Sequence, residues 1–161
     1  SDMTFGGKTV KDSDILDWGN KKLKNYKETI KNNNNIDNKY LAKSIQSFND
    51  QNLFDCLYYI NLLHNIDPDY VKYSLVYIID NKNKNSNTMH AIKNARYVIT
   101  IIRRLGGELF VMPEDLVRCE ARPVLSVITQ IMTIDQKYKQ SFHISDETTN
   151  NNDNNDDTNE T

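Results

Sequence analysis

Cysteine is scarce in this chain. Cys56 and Cys119 are the only two in 161 residues, far apart and without a Cys-x-x-Cys pair. That excludes a disulfide-stapled framework and zinc sites built on cysteine pairs, and reads as reduced thiols in a cytosolic protein. An excess of one charge sign is also missing: 20 Lys and Arg face 22 Asp and Glu, a formal net charge of -2. A general nucleic-acid binder would carry a basic surplus, so no nucleic-acid partner is expected. No apolar run approaches the roughly 20 residues that span a bilayer, and no signal-peptide core opens the chain, so no membrane partner is expected either. The three histidines, His64, His90 and His143, are scattered, and no glycine-rich phosphate loop occurs. The Asp12-Ser13-Asp14 run looks like the start of a calcium loop but lacks its glycine and twelfth-position glutamate, so helix capping accounts for it better. The pattern predicts no enzyme activity, no cofactor and no metal.

What is present is helical periodicity around residues 91–117. On a helical wheel Ala91, Ile92, Ala95, Val98, Ile99, Ile101, Ile102 and Leu105 cover about half the circumference, against Lys93, Arg96, Thr100, Arg103 and Arg104. So wide an arc predicts a helix with neighbours on several sides. Gly106-Gly107 is its stop. Leu109, Phe110, Val111 and Met112 read as a short buried crossing, and Pro113 restarts a helical turn with Glu114 and Asp115 at its positive end.

Three further helices follow from the same reasoning. Ile15, Leu16, Gly19, Leu23, Tyr26 and Ile30 form a stripe with Trp18 at its edge, opposite Asp17, Lys21, Lys24, Glu28 and Lys31. Gly19 sits mid-stripe, where glycine costs about 1 kcal/mol relative to alanine; either another helix approaches closely there, which is the preferred reading, or the site is simply weak. Leu53, Cys56, Leu57, Ile60 and Leu63 line a second face, with Asp50 as N-cap and Pro68 as terminator. Val124, Leu125, Val127, Ile128, Ile131, Met132 and Ile134 line the last, beside a polar strip of Ser126, Thr129, Gln130 and Thr133. The helices are expected over 13–31, 51–64, 88–105 and 123–134 in an all-α domain. Asn-rich runs at 32–35 and 81–87 read as loops and need no more than coding bias to explain them.

The run NARYVITIIRRLGGELFVMPEDLV closely resembles the signature of a calponin-homology (CH) domain in the form found in the fimbrin (plastin) family. The opening Ile-Leu-Asp-Trp-Gly-Asn helix and the Ser-Phe-Asn-Asp start of the second helix are similar to the family's other signatures. The chain departs where the family usually has a larger residue at Gly19, where many repeats have a glycine near Cys56, and at Cys119 to Arg122, usually Val-Asn-Pro-Lys. The resemblance, strongest at 94–117, implies the calponin-homology fold over 12–135 and is most like the last CH repeat of those proteins. Residues 1–11 then read as an N-terminal linker, with the Ser-Asp-Met opening read as a cloning scar. Residues 136–161, rich in Asn and acidic residues, are expected as a disordered tail, the natural end of such a protein.

The resemblance further implies an actin-filament-binding module, the second repeat of a tandem pair in a cross-linking or bundling protein, weak on its own. The alternative is a structural or regulatory repeat that packs on its tandem partner. The partners would be filamentous actin and the preceding CH repeat, and the place the cytoplasmic actin cytoskeleton. Candidate contacts with an acidic surface are Lys21, Lys24, Lys27 and Lys31 on the first helix and Arg96, Arg103 and Arg104 on the central one.

Overall fold

The computed structural model describes residues 3–5, 7–33, 36–80 and 84–153, with residues 3, 5, 84, 85 and 143–153 as backbone only. An antiparallel hairpin, β1 (Met3–Phe5) and β2 (Lys8–Val10), leads into α1 (Asp12–Asn33). Then come α2 (Leu57–Ile66), α3 (Lys84–Arg104), the short α4 (Pro113–Val117) and α5 (Ala121–Asp153), with single 3-10 turns between. Apart from the hairpin the described residues are helical or irregular, an all-α domain. The hairpin occupies part of the stretch expected as a structureless linker, and Gly7, at φ 80°, makes its turn.

The layout follows from which helices are apolar all round. In α2 every residue from Leu57 to Leu63 is buried, Asn61 included, so α2 must be enclosed, and it packs on α1, α3 and α5. In α3, Ala91, Ala95, Val98, Ile99, Ile101 and Ile102 are buried, while Ile92 and Leu105 are half-buried and the opposite face is exposed. Its end is a Schellman motif: Gly107 N–H donates to Ile102 O (2.8 Å) and Gly106 N–H to Arg103 O (3.0 Å), with Gly106 at φ 86°.

Gly19 is the predicted close approach. A Cβ there would run into the Tyr58 hydroxyl of α2 and lie 3.4 Å from Tyr58 Cζ. Tyr58 is fully buried, and its hydroxyl donates to Asn20 Oδ1 (3.1 Å).

Four expectations are corrected. The second helix does not run from 51 to 64: Asp50 caps a 3-10 turn at Gln51–Leu53, accepting from Asn52 N–H (2.9 Å). Cys56, at φ 64°, then turns the chain into α2. A left-handed residue cannot sit inside an α-helix. Residues 84–87, expected in a loop, are the first turn of α3, since adding polar residues to a nucleated helix is cheap. The crossing at 109–112 is only partly buried. Leu109 is buried and Val111 half-buried, but Phe110 and Met112 are 98% and 62% exposed, because extended backbone sends successive side chains to opposite sides.

The last correction concerns the tail. α5 passes the boundary expected at Asp135, and its next turn is tied down. Buried Asp135 lies 3.1 Å from Lys22 of α1 and 3.3 Å from Lys139, and Tyr138 O–H donates to Asp67 Oδ2 (2.7 Å). The helix continues through residues that were expected to be disordered, as far as Asp153. Residues 154–161 of the expected tail lie outside the described residues.

Candidate functional site

Lys21, Lys24, Lys27 and Lys31 recur at three- and four-residue spacing, which puts them along one side of α1. Opposite them runs the segment 38–44, and between the two lies an open groove of about 820 Å³. All four lysines line it, against one carboxylate, Glu28. Leu23 and Leu41 supply the apolar part of its wall. Three lysines are exposed; Lys27 is half-buried because its ammonium donates to Ala42 O (2.9 Å) across the groove.

Beyond the 3-10 turn at Asn38–Tyr40, the far wall has no helix or sheet of its own to satisfy its backbone, so side chains do so. Asn20 of α1 donates to Ile45 O (2.8 Å) and accepts from Ile45 N–H (3.0 Å). Asn61 of α2 accepts from Ala42 N–H (2.8 Å) and donates to Tyr40 O (2.9 Å). A third asparagine, Asn94 of α3, holds another connection, accepting from Tyr77 N–H (2.9 Å) and donating to Tyr77 O (2.8 Å) and Asp55 O (3.0 Å). The groove is therefore preformed, with both walls fixed.

The arginines are elsewhere. Arg96, Arg103 and Arg104 are exposed on α3, which packs on α4 and α2, whereas α1 packs on α2 and α5. None of the three lines the lysine groove. The structure thus assembles the four lysines into one feature and separates them from the arginines.

Chemistry elsewhere is muted. Burial pushes the Cys119 thiol up to about 11 and Cys56 well above its ordinary value, which leaves little thiolate. His64 Nδ1 is 2.9 Å from Tyr26 Oη, which is 2.7 Å from Tyr73 Oη, and Asn61 Nδ2 donates to Tyr73 Oη (2.9 Å). Asn61 is the fixed donor at one end of this chain, which passes through the Tyr73 and Tyr26 hydroxyls to His64. Burial lowers the His64 pKa, raises that of Tyr26 and raises Tyr73 to about 12, so all three stay uncharged at neutral pH. His90 stacks on Tyr77 at 4.5 Å. His143 has no described side chain. Among the described residues no group of three or more His, Cys, Asp or Glu could hold a metal, and no helix is long and apolar enough to cross a membrane.

The family model for the calponin homology (CH) domain matches residues 9–137. The chain belongs to the calponin homology family. Its relatives include fimbrin of Schizosaccharomyces pombe, 33% identical over 132 residues, 82% of this chain and 18% of that one. Fimbrin-4 of Arabidopsis thaliana is 29% identical over 88% of this chain and 19% of its own. Human Plastin-3 is 28% identical over 78% of this chain and 17% of its own. The CH domain is also similar to the solved actin-crosslinking core of S. pombe fimbrin, with a TM-score of 0.59 and 31% identity over 76% of this chain and 22% of that one. The chain spans about a fifth of the length of these relatives.

The sequence singles out the lysines of this CH domain but not the groove that they line. The residues missed were Asn20, Asn61 and Asn94, each of which fastens an irregular segment. Asn20 and Asn94 stand within the family signatures quoted above, and Asn61 beside an apolar stripe; an asparagine so placed must have partners if it is buried, as Asn61 and Asn94 are.

Proposed function

We propose that this CH domain binds filamentous actin as the second repeat of a tandem pair in a fimbrin-like cross-linking protein, with α1 as its contact. One observation carries the reading: Lys21, Lys24, Lys27 and Lys31 converge on a fixed groove with an apolar wall. Actin filaments present acidic surface, and a preformed basic groove meets it without an ordering penalty. Similarity to fimbrins and plastins supports the choice of actin. Arg96, Arg103 and Arg104 lie on another face and would add at most a separate contact. A single groove is a small interface, so the domain alone binds weakly, and a linked preceding repeat raises the effective concentration and adds contacts. The proposed location is the cytoplasmic actin cytoskeleton, with no nucleic-acid or membrane partner and no catalytic role.

Co-sedimentation with filamentous actin tests this. The 161-residue chain should pellet poorly, and a longer chain that includes the preceding repeat should pellet well, less so as salt rises. Lys21→Glu with Lys24→Glu should weaken binding further while leaving the melting temperature unchanged. Tight, salt-insensitive binding by the 161-residue chain would refute the reading.

A second reading is a structural repeat that packs on its tandem partner with little actin contact. It is favoured by the exposed apolar residues Leu75, Tyr77, Ile78 and Met89, which an adjoining unit would cover. Complete loss of actin binding in the longer chain would select it.

A further inference from the structure

The lysine groove has an acidic counterpart in this chain. After Lys139 the sequence has no Lys or Arg, whereas Asp146, Glu147, Asp153, Asp156, Asp157 and Glu160 follow. On the groove side, Lys21, Lys24 and Lys31 are exposed and in no ion pair among the described residues, and Glu28 is the one carboxylate lining the groove. The fold brings the two signs of charge near each other. Asp12 shares a cleft with Leu125, Ser126 and Thr129, and Lys22 pairs with Asp135, so α1 and α5 run in the same direction. Tyr138 bonds Asp67, and the adjoining Pro68 lines a cleft with Thr29, Ile30 and Asn33, so α5 there is still beside the last turns of α1. From Asp135 to Asp153 α5 advances about 27 Å, and from Lys22 to Lys31 α1 advances about 14 Å, so α5 ends no more than about 13 Å past Lys31 along α1. At about 100° per residue Lys22 lies on the opposite side of α1 from Lys24, Lys27 and Lys31, so the chain beyond Asp153 must come round the end of a helix roughly 10–12 Å across. Residues 154–161, which lie outside the described residues, can extend over about 27 Å, enough for that turn and the return to Lys31 and Lys27.

We propose that the acidic segment 154–161 docks at the Lys27–Lys31 end of the lysine groove and so competes with any acidic partner that the groove takes. Charge selects this occupant: Asp156, Asp157 and Glu160 have no cation near them in sequence, and the lysines have no carboxylate in the groove but Glu28. Reach selects the end, since Lys24 and Lys21 lie about 10 and 15 Å farther down α1. Exposed ion pairs are individually weak, so the contact depends on the tether, which holds the acids near the lysines at millimolar effective concentration. A groove occupied half of the time shows an outside partner half of its affinity. The docking itself does not require actin; its consequence for actin rests on the reading above.

The test is paramagnetic broadening of NMR signals in the 161-residue chain with a nitroxide attached at Asn159→Cys; Cys56 and Cys119 are buried and escape labelling. A contact made part of the time adds too little to move the melting temperature, so proximity is the better readout. Amides of Lys27, Lys31 and residues 38–44 should broaden several-fold more than those of the exposed face at Arg96, Arg103 and Arg104. About 0.5 M salt, where the Debye length falls to roughly 4 Å, should remove more than half of that excess. Asp156→Asn with Asp157→Asn and Glu160→Gln, which keeps the length and shape of the segment, should do the same. Broadening with no preference for the groove, or a preference that survives neutralisation of the three acids, would overturn the proposal. In the longer chain that includes the preceding repeat, the neutral triple variant should pellet with filamentous actin about twofold more tightly. If the label finds the groove and pelleting does not change, the docking stands and the groove is not the actin contact, which refutes the reading above instead.

Discussion

Replacing Gly19 by alanine should destabilise the domain, although alanine is the better helix former by about 1 kcal/mol. The added Cβ would sit against the Tyr58 hydroxyl, and Tyr58 has no room to yield. Its ring is fully buried, and its hydroxyl is held by Asn20 Oδ1, which also accepts from Ile45 N–H. Overpacking a filled interior costs about 1–3 kcal/mol. If the tyrosine shifts instead, the hydrogen bond is lost at about 1 kcal/mol. Offset by the helix-propensity gain, Gly19→Ala should lower stability by up to about 2 kcal/mol, measured as a reduced urea midpoint at unchanged m-value. The explanation lies in one oxygen atom, so a double-mutant cycle isolates it. Tyr58→Phe alone should cost about 1 kcal/mol for the lost hydrogen bond. In the Tyr58→Phe background, Gly19→Ala should cost nothing or stabilise, because the nearest remaining ring atoms, at 3.4 and 3.6 Å, are tolerable neighbours. If Gly19→Ala stabilises the native chain, or costs the same in both backgrounds, the close approach is not what keeps glycine there.

Ile102→Ala, at the fully buried centre of the α3 arc, should cost about 2–5 kcal/mol in the same assay, and a loss below about 1 kcal/mol would contradict its central place. Shortening the chain to end at Gln140 should leave the melting temperature nearly unchanged, since Ser141 and Phe142 are exposed. Ending it at Gln136 removes Tyr138 and Lys139, and should lower it. Acid should weaken the fold through His64, whose pKa burial depresses: its contribution is present above the unfolded value near 6.5 and is lost as pH falls through the lower folded value. Stability measured against pH should therefore fall less steeply below about 6.5 in His64→Phe than in the native chain.

Much of this fold was legible because the helices carry their burial pattern in their spacing. The α3 arc and the α1 stripe match the buried set except at half-buried Leu16, Ile92 and Leu105, and Gly106 ends α3 where a left-handed residue is needed. The misses share a cause. The Cys56 break, the half-buried crossing at 109–112 and the far wall of the lysine groove lie in irregular backbone, where no period exists to read. The extension of α5 was invisible for another reason. Asp135, Tyr138 and Lys139 are polar, and only their partners Lys22 and Asp67, distant in sequence, make them part of the packed domain. Half of the candidate site was likewise readable: the lysines announce one wall, and nothing in residues 38–44 announces the other.

The three asparagine clamps divide this chain's many asparagines into two kinds that composition cannot tell apart. A carboxamide carries a donor and an acceptor side by side, as a peptide group does, so Asn20 and Asn94 each stand in for the neighbouring strand that Ile45 and Tyr77 would have in a sheet. Aspartate would turn the donor into a second acceptor facing a carbonyl, and glutamine would overshoot by a methylene. Drift toward or away from asparagine costs little at an exposed helix position such as Asn25 and is closed at these positions. A chain with a strong compositional bias can therefore hold its most constrained residues in the same letter as its least constrained ones.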